Sequence, residues 1–174
     1  MLAFILASVD TKDNGFFIQT RVGEGGVLFK VIKIRTMRRI ADINTLVTCG
    51  NDPRITKLGR LLRKAKIDEL PQLYNVLIGD MSFVGPRPDV PGYADQLAEE
   101  DKRIILSVRP GITGPATLKY RNEEEILAEA ADPEKYNKEV IYPDKVRLNK
   151  EYVLNYCFLK DLQYILMTIM GKSL

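Results

Sequence analysis

The chain opens on an apolar run, MLAFILA (residues 1–7). That is far short of the roughly eighteen apolar residues a membrane-spanning helix needs. It reads as a first strand or as the stump of a longer hydrophobic segment. After a polar turn, DTKDNG, the segments FFIQTRV and VLFKVIKIRTM flank GEGG at Gly23 to Gly26. β-Branched and aromatic residues around a glycine turn predict a β-hairpin. In its second arm Lys33 and Arg35 alternate with Ile32 and Ile34, giving one basic and one apolar face.

A loop, VTCGNDPR, precedes a helix expected from Ile55 to Lys66. Leu58, Leu61, Leu62 and Ala65 share one of its faces, and Lys57, Arg60 and Lys64 share another. Leu70, Leu73, Tyr74 and Leu77 mark a further helix, with Asp68 at its start and Gly79 as its C-cap. Pro71 is tolerated there, since first-turn N–H groups have no helical acceptor to lose. GDMSFVGPRPD reads as a stiff loop, then a helix is expected over Pro91 to Val108, then a second stiff loop, RPGITGP. Residues 122–149 are acidic and helical, interrupted near Asp132-Pro133. A closing helix is expected from Asp144 to Met170, with Tyr152, Tyr156, Leu159, Leu162, Leu166 and Ile169 as its apolar stripe.

The 174 residues fit one domain, 1–174, with a core of its own. The fold class is α+β, mostly helical, with a small N-terminal β-hairpin and amphipathic helices around a compact core. There is no histidine, which excludes imidazole base catalysis and His-ligated metals. Cys49 and Cys157 form no CxxC pattern and read as buried thiols of a reducing, cytosolic compartment. Net charge is only +3, yet from Gln19 to Lys66 twelve bases face three acids. A basic half of this kind points to an anionic partner: a nucleotide, a nucleic acid or a membrane surface.

The chemistry concentrates in KIDELPQL, residues 66–73. Adjacent helical residues point about 100° apart, so Asp68 and Glu69 cannot share a proton face to face. A carboxylate at a helix N-terminus is kept ionised by the helix dipole and free N–H groups, which suits a nucleophile or a Mg²⁺ ligand. An ordinary N-cap uses the same residues. Arg63 before the pair and the arginines of GPRP and RPG after it favour chemistry, because arginines held between prolines and glycines present rigid donors to phosphate. Acids for Mg²⁺ beside arginines for phosphate suit phosphoryl transfer.

The ordered series RVG, KIRTM, NDPRITKLGRLLRK, IDELPQLYNVLIGDMSFVGPRP, VRPGITG and NYCFLKDLQYILMT resembles the bacterial sugar transferases, the small monotopic phosphoglycosyl transferases. The resemblance runs from Phe16 to Met170. It implies transfer of sugar 1-phosphate from a UDP-sugar to polyprenyl phosphate at the cytoplasmic face of the bacterial inner membrane, releasing UMP. It makes Asp68 the nucleophile of a covalent phosphosugar intermediate and Glu69 a Mg²⁺ ligand or proton-handling group, so both acids are candidate catalytic and metal residues. Arg63 and Arg87 match arginines near the substrate phosphates; Arg60, Arg109, Lys33 and Arg35 are further candidates for phosphate binding, each with a surface or bracing role as alternative. Ping-pong kinetics are expected of a carboxylate nucleophile.

Where family members carry a long hydrophobic helix that enters the membrane, only MLAFILA stands here, so that helix is expected to be largely missing. The alternative reading is a shortened, inactive module that binds the interface or a UDP-sugar without turnover. A nucleic-acid partner is not expected, because no aromatic residues interleave with the bases; a homo-oligomer is compatible. A glycosidase is excluded, since its carboxylates face each other across a sugar roughly 5–10 Å apart.

Overall fold

The computed structural model describes residues 1–41, 48–50 and 52–174. Val47 and Asn51 of the expected loop VTCGNDPR lie outside them. The apolar start is a helix, α1 (Leu2–Thr11), not a strand. Its helical spacing turns Ala3, Phe4 and Ala7 onto Leu58, Leu62, Ile67 and Ile34, forming one core cluster. Leu2, Ile5, Leu6 and Val9 are left on the exposed side.

The hairpin forms as expected. β1 (Phe16–Val22) and β2 (Leu28–Ile34) pair antiparallel from Phe16↔Ile34 to Val22↔Leu28. Gly25 and Gly26, with φ of 64° and 80°, supply the left-handed turn. The second arm ends three residues earlier than the sequence suggests, and Met37 then bridges to Ile55. Among the described residues β2 has only one strand neighbour, and an amide covers part of its other edge. Asn75, 1% exposed, accepts from the Ile32 N–H at 3.2 Å and donates to the Lys30 carbonyl at 2.8 Å. It thereby supplies partners that an absent strand would otherwise provide.

α2 (Lys57–Lys64) is shorter than expected at both ends. Thr56 caps it, accepting from the Gly59 N–H at 2.8 Å. Lys66, left-handed at φ 56°, terminates it. The helix expected from Asp68 is broken in two. Ile67–Glu69 is one 3₁₀ turn, Pro71 follows, and α3 (Gln72–Leu77) begins only afterwards. Asp68 is therefore not the N-cap of α3.

The two stiff loops proved to contain strands. β3 (Ser82–Val84) and β4 (Gly111–Thr113) pair in parallel. Ser82 donates to the Pro110 carbonyl, Gly85 to Thr113 and Gly111 to Pro86, all within 2.8–3.0 Å. The backbones approach so closely that a Cβ on Gly111 would lie 2.1 Å from the Gly85 nitrogen. Only glycine fits, which is why both proline-rich motifs carry it.

α4 (Glu99–Ile105) is shorter than the expected 91–108, being preceded by a 3₁₀ turn at Ala94–Gln96. α5 (Pro115–Lys119), α6 (Glu123–Glu129) and α7 (Pro133–Tyr136) follow, the last capped by Asp132 at the interruption expected there. A π turn, Asn137–Ile141, leads into α8 (Tyr142–Leu154). The expected closing helix breaks at Asn155–Cys157, and α9 (Phe158–Ile169) starts anew. The break redirects the apolar stripe, leaving Leu159, Leu162, Leu166 and Ile169 exposed. Cys49 and Cys157 are half-buried rather than buried. Among the described residues no helix is long and apolar enough to cross a membrane.

Asn75→Ala should destabilise the fold by about 2–3 kcal/mol, because it strands the Lys30 carbonyl and Ile32 N–H beneath α3. Chemical denaturation measures this; a loss below about 0.5 kcal/mol would show that the amide does not hold β2.

Candidate active site

The left-handed Lys66 turns the chain between α2 and the 3₁₀ turn, and so delivers Asp68 and Glu69 beneath the hairpin. Both acids are almost fully buried, at 8% and 7% exposure. Their surroundings differ sharply. Glu69 Oε1 accepts from Lys33 Nζ at 3.1 Å and from Arg87 Nη2 at 3.0 Å. Asp68 Oδ1 is buried without any hydrogen-bond partner among the described residues.

These contacts set opposite ionisation tendencies. For Glu69, burial alone would favour the neutral acid, but Arg87, Lys33 and Lys66 together hold its carboxyl well below the usual range. For Asp68, burial and the neighbouring Glu69 charge push the carboxyl up, with Lys33, Lys66 and Arg63 opposing. The sequence reading expected a helix dipole to hold Asp68 ionised; instead Glu69 is the acid held ionised, and by cations. Lys33 is itself lowered to about 8 by burial, with Glu69 opposing and Arg87 and Arg21 adding to the fall. Arg87 is raised chiefly by Glu69.

The acids open onto a cavity of about 1990 Å³ lined on one side by bases from the hairpin, α2 and the segment after β3. Lys33 and Arg87 line it together with the acids. Arg63 lines the cavity but is engaged in bracing: it donates to Thr36 Oγ1 at 2.8 Å and pairs with Glu124. Arg60 is exposed on the rim. Arg35 also lines the cavity, yet it donates to the Asn14 carbonyl at 2.6 Å and lies 3.5 Å from Asp13, tying β2 to the turn before β1. Arg109 is not brought into the cavity. It is exposed behind β4, with Nε 3.5 Å from Glu24.

Sequence reasoning missed several lining residues. Arg21, lowered to about 10 by burial and by Arg87, donates to the Pro88 carbonyl at 2.9 Å. Asp89, whose carboxyl burial pushes up, lies 3.5 Å from the Tyr142 hydroxyl. Tyr142, Lys145 and Asn149 come from α8. Asp89 directly follows GPRP and Arg21 opens RVG, so both had a signal in their motifs; the α8 residues had only their helical spacing.

Among the described residues no group of three or more His, Cys, Asp or Glu could hold a metal ion. Mg²⁺ commonly takes one or two carboxylates and draws its other ligands from substrate phosphates and water. The unpartnered oxygen of Asp68 fits that mode, with Glu69 adjacent though committed to two cations. The chemistry open to the site is therefore attack or metal binding by Asp68, next to a fixed cluster of cations suited to a phosphorylated substrate.

Comparison with known proteins matches residues 1–172 to the family described as bacterial sugar transferase. Galactosyl transferase CpsE of Streptococcus agalactiae is 34% identical, over 97% of this chain and 37% of that protein. The UDP-glucose:undecaprenyl-phosphate glucose-1-phosphate transferase of Caulobacter vibrioides is 32% identical, over 97% of this chain and 60% of its own length. The exopolysaccharide production protein ExoY of Rhizobium meliloti is 34% identical, over 97% and 75%. The chain thus spans between about a third and three quarters of these relatives. The buried acid pair, the cation cluster around it and these matches lead to one assignment: the chain belongs to the bacterial sugar transferase family.

Proposed function

We propose that the protein is a phosphoglycosyl transferase that moves sugar 1-phosphate from a UDP-sugar to undecaprenyl phosphate, as the name of the Caulobacter relative describes for that protein with UDP-glucose. The observation that carries this reading is the asymmetry of the acid pair: Glu69 is tied to Lys33 and Arg87, while Asp68 keeps an oxygen unpartnered. The Asp68 carboxylate attacks the sugar-bearing phosphorus. The bond from that phosphorus to the bridging oxygen breaks, and UMP leaves carrying the electron pair. A phosphate oxygen of the lipid then attacks the same phosphorus and returns Asp68 to its carboxylate. One hard displacement becomes two easier ones.

Lys33 and Arg87 lie where they can hold donor phosphates, and Arg21 where it supports them from behind. Glu69 keeps these cations in place without competing as a nucleophile. Mg²⁺, held at Asp68 and Glu69 with the donor's diphosphate, would neutralise charge on the leaving UMP. The lipid acceptor places the reaction at a bilayer surface. Exposed apolar residues on α1 and α9, together with the basic face of α2, support peripheral attachment to the cytoplasmic side of the inner membrane. The product would start a surface glycan such as exopolysaccharide, capsule or lipopolysaccharide.

Two outcomes test this. Asp68→Asn should lower UMP release by about a thousandfold or more, while stability at pH 7 stays equal to wild type or rises by about 1 kcal/mol. The sign follows from the raised carboxyl: its contribution to stability is present below the unfolded value and lost as pH rises through the folded one. Turnover near the wild-type rate would remove Asp68 as nucleophile. The pH profile of turnover gives the second check. Its acid limb should lie above the ordinary aspartate value of 3.8, falling about tenfold per pH unit below the inflection; a rate that stays flat down to pH 4 would contradict an elevated Asp68.

A further inference from the structure

Away from the acid pair, the cavity has a second polar wall that the phosphate chemistry does not use. One face of α8 provides it. Tyr142, Lys145, Val146 and Asn149 all line the cavity, at spacings of three and four residues that bring them to one side of a helix. Tyr142 donates its hydroxyl to the Tyr93 carbonyl at 2.9 Å and approaches Asp89 at 3.5 Å. Lys145 Nζ is held by both oxygens of Glu123, at 2.6 and 2.7 Å. Asn149 is different: it is 9% exposed, yet its Oδ1 is buried with no partner among the described residues. On α5, which packs against α8, Thr117 also lines the cavity, and its Oγ1 is likewise buried and unpartnered among the described residues.

Buried polar atoms are nearly always hydrogen-bonded, so two orphans on one cavity wall point to a ligand that completes them. The wall is rich in acceptors: Asn149, with its unpartnered Oδ1, and Asp89 both line it, and Lys145, a cation of the same wall, is already held by Glu123. Diphosphate would be repelled here and belongs with Lys33 and Arg87. A uracil ring offers two carbonyl oxygens and one N–H, a poor match for acceptors. A sugar ring offers several hydroxyl donors, each able to accept as well, and that matches. We propose that the wall centred on Asn149 and Thr117 is the subsite for the sugar ring of the nucleotide sugar, with Asn149 and Thr117 as specificity-determining residues. The proposal rests on the transferase reading above, in which the phosphorus attacked by Asp68 carries the sugar and so places it beside the acid pair.

The test compares UDP with a panel of UDP-sugars by titration calorimetry of the detergent-solubilised protein with Mg²⁺, in an Asp68→Asn background where no phosphosugar can form, with and without Asn149→Ala or the nearly isosteric Thr117→Val. The expected result is that Asn149→Ala weakens the best-bound UDP-sugar about tenfold and Thr117→Val about threefold or more, while UDP affinity changes less than twofold in either variant. Retained UDP binding also shows that the variants are folded. Equal loss for UDP and UDP-sugar would assign the wall to the nucleotide and overturn the sugar subsite. Unchanged affinity for both ligands would overturn it too, leaving the transferase reading intact. If the background itself binds neither UDP nor any UDP-sugar, the transferase reading falls and the subsite with it.

Discussion

The site depends on a single carboxylate oxygen, Glu69 Oε1, that joins the hairpin, the 3₁₀ turn and the segment after β3. Lys33 comes from β2 and Arg87 from GPRP, and both converge on that atom at about 3 Å. Taking a carboxylate out of water is costly, and only two close cations with good geometry offset it. Glu69 is therefore both a junction of the fold and the charge that keeps the phosphate-binding cations in position. For Asp68, one residue earlier, Lys33, Lys66 and Arg63 offset burial only in part, and its buried Oδ1 has no hydrogen-bond partner among the described residues. Strain of this kind concentrates at sites of chemistry, where stability is given up for reactivity.

The rest of the architecture holds these three segments in register. Asn75 fastens α3 to the edge of β2, so the 3₁₀ turn before α3 cannot drift from Lys33. The parallel pairing of β3 with β4 does the same for Arg87. Because Gly85 and Gly111 touch backbone to backbone, GPRP and RPGITG act as one rigid unit rather than two loops. Arg109 contributes to that unit's surface near Glu24 instead of to the cavity.

Much of this was legible in the sequence. The hairpin followed from its alternation and glycine turn, α2 from its apolar and basic faces, and the acid pair from its motif company. What escaped were features created by tertiary contact. α1 is helical because its apolar residues meet Ile34 and Leu62, a contact no local pattern reveals for so short a run. Strands β3 and β4 are three residues each, too short for a periodic signal, and their paired residues stand 29 positions apart in sequence. The direction of ionisation was misjudged for Asp68 because the reading assumed a continuous helix; the left-handed Lys66 and the 3₁₀ turn replace the dipole with burial. The inward face of α8 was hidden because its polar residues line a cavity rather than solvent.

The division of labour between the two acids is tested most directly by mixing the protein with Mg²⁺ and a UDP-sugar in the absence of lipid phosphate, then measuring UMP and the mass of the chain. One UMP per chain, with sugar phosphate attached at Asp68 and neither product formed by Asp68→Asn, is the predicted result. UMP that appears only when lipid phosphate is present, with the chain never modified, would contradict a nucleophilic Asp68 and assign the transfer to a single direct displacement.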